Sequence, residues 1–263
     1  MKLIHESGIK VTLDGQGADE LFSGYAQHFH VKGLYDLQNL NFKELANLDR
    51  SGANSSKELA KYFMKYAVNQ VSARIGYSLW KNSKYDSQLI NSKFWNDHYD
   101  RFKRHGSLFT SDLNRQLFQE YSGPPLKYLM RTADRNSMRH SVESRVPFAD
   151  DHKLAEYVFS IPSAYKIYNG ESKYLLRESM KGVIPDAIRL RRDKKGFATP
   201  ELKWFKEYKN ELKTLVTDNL EPFVDTKSLY KNWDQIFEQK ITGNTLGISR
   251  FVILSMWRRK FQL

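Results

Sequence analysis

Residues 13–25, L-D-G-Q-G-A-D-E-L-F-S-G-Y from Leu13 to Tyr25, decide how this chain is read. They follow the run I-K-V-T-L, Ile9 to Leu13, whose alternation and β-branched residues predict a short strand. Strand, glycine turn and helix in succession are the grammar of an α/β nucleotide site. Gly15 and Gly17 permit positive φ and close backbone approach, so that amide N–H groups can face a phosphate oxygen. Asp19 and Glu20 lie just beyond, and a carboxylate beside phosphates points to Mg²⁺. A tight turn opening a helix capped by Asp19 fits the same letters, and the glycine spacing by itself does not separate the two readings.

Composition narrows the setting of this segment. The 263 residues suffice for one large domain or two small ones, and 40% hydrophobic with 14% aromatic content provides ample core. Cysteine is absent, which excludes disulfides, zinc–thiolate sites and a cysteine nucleophile within these residues and suits a reducing, cytoplasmic setting. No apolar run approaches the ~20 residues of a membrane span, and Met1–Gly8 lacks the apolar stretch of a signal peptide. Lys plus Arg number 42 against 30 acidic residues, a net charge of +12 that attracts phosphate-bearing ligands, nucleic acid or acidic membrane. The basic residues are spread out, no nucleic-acid recognition motif accompanies them, and a solvated basic surface accounts for most of them.

Outward from the glycine segment the chain reads as helix after helix. Ser55 and Glu58 have capping-box spacing ahead of an apolar stripe that runs from Leu59 to Ile75 and stops at Gly76. Pro124 and Pro125 suit a helix entry, with Leu126, Leu129, Met130 and Ala133 forming one stripe. Further helices are expected over 151–160, 172–181, 185–191, 201–220, 227–241 and 246–260, while 81–110 fits no clear pattern. One strand is not a sheet, so partner strands are expected upstream and the chain reads as the carboxyl-terminal part of a larger protein.

Three later stretches carry chemistry. In L-M-R-T-A-D-R-N-S-M-R-H-S-V-E-S-R-V-P-F-A-D, Leu129 to Asp150, residues Arg131, Arg135 and Arg139 fall at steps of four on one helix face with Asp134 beside them. Such a row binds a carboxylate or phosphate, or is balanced by Asp134, Glu143 and Asp150 as surface pairs. In N-G-E-S-K-Y-L-L-R-E, Asn169 to Glu178, Ser172 reads as an N-cap with Lys173 in the first turn. Lysine is the wrong sign for a helix start, and it makes sense if an anion sits there; an exposed lysine tolerated at small cost fits equally. R-R-D-K-K-G-F-A-T-P, Arg191 to Pro200, is a basic turn.

Together, in this order, the four stretches resemble the synthetase half of glutamine-hydrolysing asparagine synthetases. L-D-G-Q-G-A-D-E-L-F-S-G-Y resembles that family's pyrophosphate loop, D-R-N-S-M-R-H-S-V-E-S-R-V-P-F-A-D its central signature, and K-Y-L-L-R-E with R-R-D-K-K-G-F its late ones. The resemblance implies adenylation of the aspartate side chain by ATP with Mg²⁺, then displacement of AMP by ammonia from glutamine. It implies that Gly15, Gln16 and Gly17 cradle pyrophosphate, that Asp19 holds Mg²⁺ with a carboxylate from elsewhere, and that Lys173 neutralises phosphate charge. Asp134 and Arg135 match positions near the aspartate pocket, Glu143 and Arg145 a mainly structural pair, and Lys194 a lysine of the late basic loop.

The fold it implies is mainly α with a small α/β remnant, an incomplete ATP-pyrophosphatase domain of the adenine-nucleotide α-hydrolase type. Residues 1–30 would supply the last strand and the loop, and 31–263 the helical remainder. Three departures qualify the likeness. The family's S-G-G-x-D-S loop and its amino-terminal cysteine are absent from these residues, so the chain alone is expected to be inactive. Gln16 stands where members have a glutamate, and Gln cannot serve as a base, so relatives that amidate another carboxylate stay in play. A non-catalytic remnant is the other alternative. A truncated sheet also exposes an edge, so self-association or a covering partner is expected.

Overall fold

The computed structural model describes residues 1–50, 56–71, 89–98, 110–192, 200–216, 218–234 and 245–262. The chain falls into two compact units, one comprising 1–70 with 106–193 and the other 71–105 with 194–263. It is mostly helical, with two small sheets among the described residues.

The first unit opens with α1 (Lys2–Glu6), then β1 (Val11–Leu13), α2 (Ala18–Phe22), α3 (Ala26–Gln38), α4 (Phe42–Arg50) and α5 (Ser56–Val71). It resumes with α6 (Leu113–Ser122), α7 (Pro124–Met138), β2 (Glu143–Arg145), α8 (Pro147–Asp150) and α9 (His152–Ser160). It closes with β3 (Ile167–Tyr168), β4 (Glu171–Ser172), α10 (Tyr174–Ser179) and α11 (Asp186–Arg189). Local chemistry sets these boundaries: Pro124 and Pro125 start α7 where a missing N–H is harmless, and the Asp112 and Asp151 carboxylates accept from Arg115 and Leu154 amides, both at 3.0 Å.

β1 pairs in parallel with β2, Val11 opposite Glu143 and Leu13 opposite Arg145, so two strands exist where β-propensity singles out one. β2 escapes a propensity reading because E-S-R carries no apolar alternation. β3 and β4 form an antiparallel hairpin with Ile167 opposite Ser172. Two apolar clusters hold the unit. Phe29, Val31, Leu48, Leu113, Leu117 and Ile167 form one, and Leu21, Phe22, Ala155 and Val158 the other.

In the second unit, helices at Ser92–Asp97, Glu201–Glu207, Lys209–Leu215, Thr226–Lys231 and Thr245–Lys260 surround Leu89, Val216, Leu220, Trp233 and Phe251. The expected single helix over 201–220 is broken at Tyr208 (φ −98°, ψ 23°), which lets Phe205, Leu212 and Leu215 all face that core. Asn91 caps its helix and also reaches the Glu221 carbonyl at 3.2 Å, joining the early and late segments. The capping position Ser55, the helix end at Gly76, most of 81–110 and the loop with Lys194 lie outside the described residues.

Candidate functional site

The site is built where the parallel strands end. Past Leu13 the chain enters 14–17, and past Arg145 it enters Val146 and α8; the Asp14 amide bonds the Arg145 carbonyl at 2.8 Å, tying the two exits together. Gly17 adopts φ 93°, and a Cβ there would sit 3.1 Å from the Phe148 and Ala149 backbone, so glycine is required both by conformation and by that close approach. Gly15 differs from expectation. Its φ is not positive and nothing lies within 4 Å of its missing Cβ, so what it contributes is open space beside an exposed backbone. The Gln16 amide donates to Asp14 Oδ1 at 3.2 Å and the Ala18 amide to the Gly15 carbonyl at 3.3 Å, whereas the Gly15 and Gly17 amides have no acceptor among the described residues.

Asp19 and Glu20 part company. Glu20 is buried and accepts the Tyr25 hydroxyl at 2.7 Å; burial and that neighbouring carboxylate push the phenol well above its ordinary pKa. Asp19 instead meets Lys173, its Oδ1 lying 2.5 Å from Nζ, with the two side chains 24% and 30% exposed. Sequence reasoning missed Gly24, which makes this meeting possible. A Cβ at Gly24 would collide with Asp19 Oδ1 and lie 2.5 Å from Lys173 Cε. The signal was present, since a glycine just after a short helix marks a C-terminal position, here behind Ser23 at φ 67°.

The expected cap at Ser172 is a correction. Ser172 belongs to β4, and Lys173 itself is the N-cap of α10 in the left-handed conformation, φ 55° and ψ 28°. A two-residue hairpin that must turn directly into a helix leaves one residue to absorb the change of direction, and the β3–β4 pairing assigns it to Lys173. A lysine held there costs about 1 kcal/mol, sustained by the surrounding bonds. Arg177, also missed, supplies several of them. Its Nε donates to the Ser172 carbonyl at 2.9 Å, and its Nη atoms donate to the carbonyls of Arg189 and, at 2.8 Å, Arg191.

Asp134 and Arg135 lie on α7, exposed, together with Arg131; Arg139 caps its end. None of the three arginines forms an ion pair among the described residues, so balance by surface pairs is not what occurs there. Glu143 pairs with Arg145 along β2 at 2.8 Å, both more than half exposed, the guanidinium holding the carboxyl below its usual range. No hydrogen bond or ion pair joins Asp134 or Arg135 to the Asp19–Lys173 pair among the described residues.

No three His, Asp or Glu side chains converge to hold a metal among the described residues. A single hard carboxylate such as Asp19 still suits Mg²⁺, which keeps most of its waters and takes one or two carboxylates plus phosphate oxygens. A glycine loop, a carboxylate and a lysine thus gather at the carboxyl ends of two parallel strands, the place where open α/β sheets in general take their ligands.

The chain belongs to the asparagine synthase family, whose model matches residues 1–259. It is 29% identical over 231 residues to asparagine synthetase [glutamine-hydrolyzing] 3 of Bacillus subtilis, covering 87% of this chain and 33% of that protein. It is 30% identical over 291 aligned positions to amidase chyE of Penicillium rubens, covering 95% of this chain and 42% of that protein. Asparagine synthetase [glutamine-hydrolyzing] of Gallus gallus is 35% identical over 135 residues, 45% of this chain and 24% of that one. The chain thus spans about a third of the Bacillus relative's length. No solved structure matches it significantly.

Proposed function

We propose that this chain is the carboxyl-terminal part of the synthetase domain of an ATP-dependent, amide-forming C–N ligase, with an incomplete ATP-pyrophosphatase fold of the adenine-nucleotide α-hydrolase type. The acceptor is aspartate or a similar carboxylate, and ammonia derived from glutamine displaces AMP. The observation that carries the reading is the meeting of Asp19 and Lys173 beside the Gly15–Gly17 loop, made possible by Gly24.

The free Gly15 and Gly17 amides offer donors to pyrophosphate oxygens, and the open space at Gly15 admits them. Asp19 would hold Mg²⁺, which supplies charge neutralisation to the phosphates when bound. Lys173, kept at the loop by its αL turn, stabilises negative charge developing on the phosphoryl oxygens and on the adenylated carboxylate. The exposed Arg135 guanidinium, with Asp134 adjacent, offers a carboxylate and amine-recognising pair for aspartate. Gln16 has no base to offer, so the proton released by ammonia leaves through solvent or another group.

A Mg²⁺-pyrophosphate titration of the chain by calorimetry tests the reading. Lys173→Met and Asp19→Asn are each expected to weaken binding at least tenfold, and unchanged binding in both overturns it. The chain alone is expected to release no pyrophosphate from Mg²⁺-ATP. Gln16, together with the 30% identity to a protein named an amidase, favours a second reading in which the acceptor is a carboxylate other than aspartate. Carboxylate-dependent adenylation by the intact enzyme, compared across acceptors, separates the two.

A further inference from the structure

Away from the loop, a cavity of about 340 Å³ opens between α6, α8 and α9. Its walls are the rings of Phe118, Tyr121 and Phe159 with the methyl groups of Ala149 and Ala155, and Asp150, His152 and Glu156 complete the lining. Phe159 stands edge-on to both other rings, at 5.5 Å from Phe118 and 5.8 Å from Tyr121, so the three make one preformed aromatic wall. Ala155 is buried and Tyr121 and Phe159 are half-buried, whereas Phe118, Asp150 and Glu156 are exposed, so the apolar wall runs from the floor up to a mouth that carries the carboxylates. Two carboxylates at one mouth are notable on a chain of net charge +12.

No three His, Asp or Glu side chains converge at this mouth among the described residues. The negative field reaches inward all the same. Burial first, and then Asp150 and Asp151, push the Tyr121 phenol up. The buried Lys166 ammonium already lies over the Phe159 ring, 4.7 Å from its centre, so a second positive charge belongs at the rim and not among the rings. A ligand matching these surfaces carries an apolar or aromatic body and one cationic end.

We propose that this cavity binds a small amphipathic amine, its body against Phe118, Tyr121 and Phe159 and its ammonium between Asp150 and Glu156. Apolar burial supplies most of the affinity and the rim carboxylates select the sign of charge. The site is also wired to the glycine loop. The Tyr121 hydroxyl donates to the Phe148 and Ala149 carbonyls at 3.2 and 3.0 Å, and these residues are the ones pressed against Gly17.

The test is calorimetric titration of the full chain with 2-phenylethylammonium and with 3-phenylpropanoate, a probe of similar shape and opposite charge. The amine is expected to bind and the acid to bind at least tenfold more weakly. Glu156→Lys, a change at an exposed helical position, is expected to abolish amine binding, and Glu156→Gln to weaken it about fivefold, with helical circular dichroism unchanged in both. Equal binding of the two probes, or amine binding indifferent to Glu156→Lys in a folded variant, overturns the proposal. The outcome does not depend on whether pyrophosphate binds at Asp19 and Lys173.

Discussion

At the scale of single residues, the behaviour of the site turns on space and strain. Gly24 is the sharpest case, because any side chain there enters the volume shared by Asp19 and Lys173. Gly24→Ala is expected to lower Mg²⁺-pyrophosphate affinity at least tenfold while leaving the thermal midpoint within a few degrees, since the position is only half-buried; calorimetry and a thermal melt check both parts. Lys166 offers a different lesson. Its Nζ is buried without a hydrogen-bond partner, and desolvation pulls its pKa down to about 8, against the smaller upward pull of Asp112. The folded chain therefore disfavours the charged form, so a stability penalty is fully present below about pH 8 and fades as pH rises toward the ordinary lysine value. Lys166→Met is expected to stabilise the protein by about 1–3 kcal/mol at pH 7, with the cation–π contact on Phe159 offsetting part of the gain. Urea unfolding at pH 7 and pH 10 checks it, the advantage shrinking at the higher pH.

At the scale of elements, the glycine loop depends on helices that never touch a ligand. α3 and α6 are clamped by Glu120, which takes His28 Nε2 at 2.7 Å, Gln27 at 2.7 Å and Gln116 at 2.6 Å, with His28 fully buried. Burial alone would raise the Glu120 pKa, but the His28 bond and charge, with the Gln116 and Gln27 bonds, outweigh it and leave the value lowered. A lowered carboxylate stabilises the fold above its unfolded pKa, and the stability is lost as pH falls through the folded value. Glu120→Gln is expected to cost about 1–3 kcal/mol at pH 7 and less near pH 3, read by urea unfolding at the two pH values. α6 also packs on α2, so the same clamp steadies the helix that carries Asp19. Sequence periodicity found α7 and α9 because proline, aspartate and an apolar stripe agree there, and passed over α3, whose buried face includes His28, Lys32 and Asp36, and the short α6, which buries only Leu113 and Leu117. Lys32 and Asp36 are paired at 2.6 Å inside the fold, and a polar pair in a helix core hides the stripe that pattern reading seeks.

At the scale of the whole molecule, the β1–β2 pair leaves apolar surface uncovered. Leu13 is 77% exposed and Val11 38%, on one face of β1, with Ile9 exposed beside them. No helix of the described residues is long and apolar enough to cross a membrane. The purified chain is expected to bind a hydrophobic dye and to self-associate, and Val11→Thr with Leu13→Ser to reduce dye fluorescence at least twofold; a monomeric profile without dye binding would contradict it.

The sequence by itself determined the strand and glycine turn, most helices with strong start signals, and the four motifs that give the family. These are local properties, set by φ preferences, capping chemistry and apolar period within a dozen residues. Only the tertiary structure decided that Asp19 faces Lys173 while Glu20 turns inward to Tyr25, that Gly24 leaves room for the pair, and that Lys173 is itself the strained cap. Those outcomes depend on contacts between residues remote in the chain, made when α10 and α2 pack together, and no local pattern encodes which of two adjacent carboxylates will meet a lysine.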